Sequence, residues 1–305
     1  MNKKMLNLHL YTNTNCNLHC RHCYNNSFYE ENSAEIEVEQ LVNIIRESHS
    51  AYKVDIHLEG GEIFLRPEVF EALASLEVEI LNNITITSNG SIYLETPEVE
   101  YVLKNIEAFR ISVEGHTNEL NRMIRDIDVD IILGNAERYR DMGANVILRI
   151  TLHRDNIHTL FRETIPAIAD RGFHNFQVYE LQPVGRGEKL ENFILSENEF
   201  DSFLNLLVVE KPKDVKIKMM FSPSRVEGVM KRKADFSQAG YSTTLMEPAM
   251  SLSIATNGNV NICPWGTDDK VLFNINQEKD LCSALDKFDL MHECSYCSKI
   301  KIETE

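Results

Sequence analysis

The sequence predicts an α/β chain: a partial parallel barrel of six β–α units, then a smaller α+β region with a β-hairpin. Three observations predict it. Strand-like and helix-like segments alternate six times up to residue 181. Short polar or glycine-bearing turns follow the strand-like segments, and the rhythm breaks after Gly185.

Leu6, Leu8 and Leu10 alternate with polar residues, the period of a half-buried strand. Val38, Leu41, Val42 and Ile45 follow helical spacing. A second strand spans 54–60, and Pro67 opens a helix carrying Phe70, Leu73 and Leu76. Residues 84–87 form a third strand. Thr96 caps a helix whose first position is Pro97. Residues 108–113 are the fourth strand, with a helix running to Gly143. Residues 145–151 are the fifth, followed by a helix to Gly172, and 176–181 are the sixth. Six β–α units imply right-handed parallel crossovers. Both a TIM-like three-quarter barrel and a doubly wound open sheet fit.

Beyond Gly185 come a helix near 196–208 and a strand alternating Val215, Ile217, Met219 and Phe221. A hairpin follows over 251–263, turning at Asn257-Gly258. The domain boundary is placed near residue 190, giving 1–190 and 191–305.

The totals are those of a water-soluble globular chain: 305 residues, 43% hydrophobic, 26% charged. No apolar run approaches the ~20 residues of a membrane span. The start reads as a first strand and not a secretory signal. Seven cysteines without a signal suggest a reducing compartment, the cytoplasm, and thiol chemistry. A formal charge of −16 at pH 7 repels phosphate backbones, which argues against nucleic acid as partner. Lys231-Arg232-Lys233 reads as a solvated basic run.

Cys16, Cys20 and Cys23 stand four and three apart among Thr, Asn, His and Arg. Such neighbours make a loop and not a core helix. Zinc is one reading, with His19 or His22 as fourth ligand. An iron–sulfur cubane held by three thiolates, leaving one iron open, is the other. Cys-x3-Cys-x2-Cys followed by Tyr24 resembles the signature of radical S-adenosylmethionine (SAM) enzymes. In that family the methionine amino and carboxylate groups of SAM occupy the open iron, and the reduced 4Fe–4S cluster cleaves SAM to a 5′-deoxyadenosyl radical.

Further segments carry the resemblance. Gly60-Gly61-Glu62 matches the family's Gly-Gly-Glu, although Ile63 stands where proline is usual. The family's acidic residue receives the SAM ammonium. Ser88-Asn89-Gly90 resembles Thr-Asn-Gly, and Ser112-Val113-Glu114-Gly115 resembles Ser-Leu-Asp-Gly. The resemblance implies that Asn89, Ser112 and Glu114 contact the ribose or the methionyl carboxylate. Arg125 and Arg149 are candidates for that carboxylate. Leu181 ends the sixth strand, where the family's backbone meets adenine. All lie at or just past a predicted strand's C-terminal end, the rim where parallel α/β folds build sites.

Cys263, Cys282, Cys294 and Cys297 remain. A structural four-thiolate zinc site is one reading. Gly258-x4-Cys263 after such a barrel resembles SPASM and twitch auxiliary domains, which bind further 4Fe–4S clusters. The implication is one auxiliary cluster held by these four, with Cys282 replacing an upstream cysteine the sequence lacks. The alternative leaves Cys282 a free thiol that donates a hydrogen atom or attacks a substrate radical.

The family suggests three activities. Maturation of a ribosomal precursor peptide by cross-linking, thioether formation or epimerisation is preferred. Dehydrogenation of a small-molecule alcohol is the runner-up. Sulfatase maturation is disfavoured, since Pro264 and not aspartate follows Cys263. A strand beginning by residue 5 is expected to leave no room for an N-terminal leader-binding domain. An electron donor such as ferredoxin or flavodoxin is implied. From another class, a zinc-bound interaction module stays open.

Overall fold

The computed structural model describes residues 3–29, 34–246, 250–262, 271–278, 280–288 and 298–304. Its centre is one twelve-stranded sheet. The strands are β1 (Met5–Tyr11), β2 (Lys53–Glu59), β3 (Ile84–Ser88), β4 (Ala108–Ser112), β5 (Val146–Leu152), β6 (Asn175–Glu180), β7 (Lys216–Phe221), β8 (Tyr241–Leu245), β9 (Met250–Ile254), β10 (Asn259–Asn261), β11 (Val271–Asn274) and β12 (Ile300–Thr304). Their order is β11-β10-β9-β1-β2-β3-β4-β5-β6-β7-β12-β8.

Adjacent strands from β9 through β1–β6 to β7 all pair in parallel. The six expected strands are therefore flanked by two more. The strand carrying Ile217 and Met219 joins β6, with Phe176 opposite Ile217. The first arm of the hairpin joins β1, with Leu6 opposite Met250. The described strands after residue 190 thus extend both margins of the same sheet. Antiparallel strands finish each edge, and Asn257-Gly258 turns β9 into β10.

Two-residue alternation sorts each strand's faces. Leu6, Leu8, Leu10, Val54, Ile56 and Leu58 are fully or nearly fully buried against the helical layer. That layer includes Val38–Ala51, Pro97–Asn105 and Val129–Met142. Thr96 caps its helix by accepting from Val99 N at 3.3 Å, and Gly143 closes the next at φ 108°. The opposite face is polar: His9, His57, Glu59, Arg110, Arg149 and Tyr179. Arg149 on β5 comes within 3.9 Å of Glu59 on β2 although β3 and β4 lie between. Across a flat sheet three strand spacings of about 4.8 Å would separate them. The sheet is therefore strongly curled, as a partial barrel is, and these polar residues line its concave side.

Two expected helices are interrupted. Leu73 ends the helix from Pro67, and Val78–Leu81 forms a separate turn. Before Gly172, a widened turn over Leu160–Thr164 precedes Ile165–Ala169, because Pro166 has no N–H to continue the ladder.

Candidate functional site

Loops after the C-terminal ends of β1–β6 surround a cavity with about 950 Å³ of empty space, its open mouth included. Its lining includes Cys16, Cys20 and Cys23 from the loop after β1. Gly60 and Gly61 come from the end of β2, Ser88 and Asn89 from β3, Ser112 from β4, Arg149 from β5, and Leu181 from β6. Tyr24 and Arg125 also line it.

The paired glycines exist because the cysteine loop crosses them. Gly61 N donates to Asn13 O and Glu62 N to Asn15 O, each at 2.8 Å. A Cβ on Gly60 would lie 2.5 Å from Asn13 Oδ1, and one on Gly61 would overlap the Asn15 carbonyl. Bare backbone is the only surface on which this loop can rest.

Glu62 does not line the cavity. Its carboxylate turns into the wall, accepting from Phe64 N (3.1 Å), Ser88 Oγ (2.9 Å) and Asn89 N (2.7 Å). Burial pushes its carboxyl above the usual range, opposed by those hydrogen bonds. The group expected to receive an ammonium instead fixes the Ser88-Asn89 turn. Glu114 is likewise walled in. It accepts from Arg125 Nε (3.0 Å) and Thr151 N (2.9 Å), and His22 Nε2 stands 3.2 Å away. Burial opposes its ionisation, but Arg125 and His22 prevail and hold it at about 2. The expected contact with ribose or carboxylate becomes, for Glu114, the placement of His22 and Arg125.

Around the thiols, donors converge on sulfur. Asn89 Nδ2 approaches Cys16 Sγ and Arg125 Nη1 approaches Cys20 Sγ, both at 3.7 Å. Burial pushes the Cys16 thiol up to about 11 and raises that of Cys20, so without metal both keep their protons. Among the described residues, no three Cys, His, Asp or Glu side chains converge as the ligands of one ion do. A cubane instead sets each thiolate on a separate iron corner. Three thiols on one wall with N–H donors aimed at sulfur fit such a cluster.

The two arginines differ. Arg125 is engaged by Glu114. Arg149 stacks over Tyr179 at 4.5 Å and stands 3.9 Å from Glu59, its guanidinium making no hydrogen bond among the described residues. Tyr24 donates from its hydroxyl to Glu59 at 2.7 Å.

Sequence reasoning missed Glu59, Thr87, Thr151, Tyr179, Glu180 and Arg186, which line the cavity alongside His22 and Gln182. Glu59 could have been found: Asp55, His57 and Glu59 form the polar alternate of Val54, Ile56 and Leu58. Burial resists its ionisation, but His9 and Arg149 hold it well below the usual carboxylate range.

Cys282 sits in the short helix Leu281–Leu285, its thiol 3.8 Å from Glu47 O in the helix Val38–Ala51. That part of the helix leads into the start of β2, the end of the strand opposite the cavity. Cys263, Cys294 and Cys297 lie outside the described residues.

A family model described as the Radical SAM superfamily matches residues 10–166. The chain is 24% identical over 213 residues to an AdoMet-dependent heme synthase of Methanosarcina barkeri, covering 68% of this chain and 59% of that one. It is 24% identical over 146 residues to a PqqA peptide cyclase of Methylorubrum extorquens, covering 47% and 38%. These matches span about half the length of the curated relatives. Streptococcus suis SuiB bound to its precursor peptide SuiA superposes with a TM-score of 0.70 at 15% identity, covering 92% of this chain and 64% of that one.

Proposed function

From the premise that this chain belongs to the radical SAM superfamily, we propose that it is an enzyme that cleaves SAM reductively and acts on a peptide. The observation that carries the chemistry is the single cavity shared by Cys16, Cys20 and Cys23 with the strand-end residues of β2–β6. When bound there, the cluster and SAM supply the 5′-deoxyadenosyl radical that takes a hydrogen atom from the substrate.

The chain's own groups divide the remaining work. Cys16, Cys20 and Cys23 hold the cluster, with Asn89 and Arg125 donating to the Sγ atoms of Cys16 and Cys20. Arg149, whose guanidinium lies on Tyr179 beside Glu59, takes the methionyl carboxylate together with Ser112. Leu181 backs the adenine. Glu62 and Glu114 brace these groups from behind the wall. Glu59, held by Tyr24, faces the substrate side.

Two likenesses support a peptide substrate, namely the fold shared with SuiB in its SuiA complex and the relative named PqqA peptide cyclase. The acidic surface suits a lysine-rich leader. The heme synthase likeness favours a small-molecule substrate as the second reading. In either case Cys263, Cys282, Cys294 and Cys297 hold an auxiliary 4Fe–4S cluster that passes electrons. The position of Cys282 at the far end of the barrel suits that role better than hydrogen donation. A ferredoxin or flavodoxin delivers the electron, in the cytoplasm. Among the described residues no helix is long and apolar enough to cross a membrane.

The test is anaerobic reconstitution with iron and sulfide, then SAM and dithionite. The expected result is 5′-deoxyadenosine from the wild type and none from Cys20→Ala. Deuterium passing from a labelled precursor peptide into 5′-deoxyadenosine supports the peptide. Product formation by Cys20→Ala, or iron-free wild type, overturns the reading.

A further inference from the structure

We infer that Arg186 is a positioning residue for the three-thiolate cluster, clamping the cysteine loop and favouring the cluster's reduced state through its positive charge; this rests on the function proposed above. The residue stands just past β6, in the sequence Pro183-Val184-Gly185-Arg186-Gly187. Its backbone N donates to Cys23 O at 3.0 Å, its Nε to Cys20 O at 2.7 Å, and its Nη2 to Ser27 O at 2.9 Å. One residue therefore ties down the carbonyls of two of the three ligating cysteines and the chain that leaves them.

The flanking glycines make this approach possible. Gly185 has φ +59°, and a Cβ there would meet Cys23 O at 2.7 Å and overlap the Tyr24 carbonyl. A Cβ on Gly187 would lie 2.6 Å from Gln182 O. The same short segment supplies Leu181 and Gln182 to the cavity wall. Nucleoside wall and cluster loop are one joined piece.

The charge argument rests on a contrast. Arg125, the other arginine beside Cys20, is paired with Glu114. Arg186 donates to carbonyl oxygens, and no carboxylate forms an ion pair with it among the described residues. Reduction adds negative charge to the cluster, so a fixed neighbouring cation stabilises the reduced form. Removing that cation must make reduction harder. A unit charge within roughly 10 Å at an effective dielectric near 20 is worth on the order of a tenfold change in an equilibrium.

The experiment is an EPR-monitored redox titration of reconstituted wild type, Arg186→Lys and Arg186→Gln. The three-thiolate signal is identified by its change on adding SAM. Arg186→Gln is expected to lower the reduced-to-oxidised ratio at fixed potential about tenfold, a midpoint about 59 mV more negative. Arg186→Lys loses the fork of hydrogen bonds but keeps the unit charge, and is expected to stay within about twofold of wild type. An unchanged midpoint in Arg186→Gln overturns the inference, as does a shift in Arg186→Lys as large as that in Arg186→Gln. If Arg186→Gln holds no iron, Arg186→Lys decides, because it keeps the charge: a tenfold fall there overturns the inference, and a retained midpoint supports it. A wild type with no SAM-responsive iron signal would strike the proposed function instead.

Discussion

Arg125 bridges Glu114 and Cys20, giving its Nε to the carboxylate at 3.0 Å and its Nη1 to the sulfur at 3.7 Å. The ion pair is buried on both sides. A buried pair contributes little compared with apolar packing, but removing one partner leaves an uncompensated charge.

Glu114→Gln should therefore destabilise the fold by about 3–5 kcal/mol, read as a lower urea midpoint at pH 7. The pH dependence follows from the same pair. The carboxyl is held at about 2 in the folded protein and stands near 4.3 when unfolded. The stability it contributes is complete above the unfolded value and is lost as pH falls from there through 2. Metal-free wild type should lose more stability across that window than Glu114→Gln does. Equal losses would show that another group titrates.

Gly61→Ala should retain its far-ultraviolet circular dichroism and lose iron. The added methyl overlaps the Asn15 carbonyl and must lift the cysteine loop from its seat. Full iron loading of this variant would contradict the crossing described for these two glycines.

Arg225→Met should cost about 3–5 kcal/mol, because Arg225 Nη2 meets Glu180 Oε1 at 2.6 Å with both side chains buried. Adding Glu180→Leu should return much of that loss, since a buried ion pair exchanged for apolar groups is often neutral. A thermal or urea series on the two single variants and the double gives the coupling.

Cys282→Ala should reduce iron from roughly eight per chain toward four, while 5′-deoxyadenosine formation continues. Undiminished iron would remove Cys282 from the ligand set.

Much of this arrangement was legible in the sequence where the signal is local. Alternation at Leu6, Leu8 and Leu10 gave β1, and Asn257-Gly258 gave the hairpin turn. What periodicity cannot carry is which distant strand becomes a neighbour. Ile217 and Met219 read as a strand after the rhythm had broken, yet they pair with β6. Motif residues were found, but not their directions. Glu62 and Glu114 face into the wall because each is surrounded by donors from other loops, which a linear pattern does not display. Arg186 escaped notice because its partners are backbone carbonyls, which leave no trace in composition.

The pairing of β1 with β9 bears on how the molecule is made. Leu6 leaves the ribosome well before its neighbour Met250. Until then one edge of β1 is an open template for foreign strands. Such long-range closure slows folding and exposes nascent chains to aggregation. Chaperone dependence during synthesis, and insolubility of fragments cut near residue 190, follow from this one late ladder.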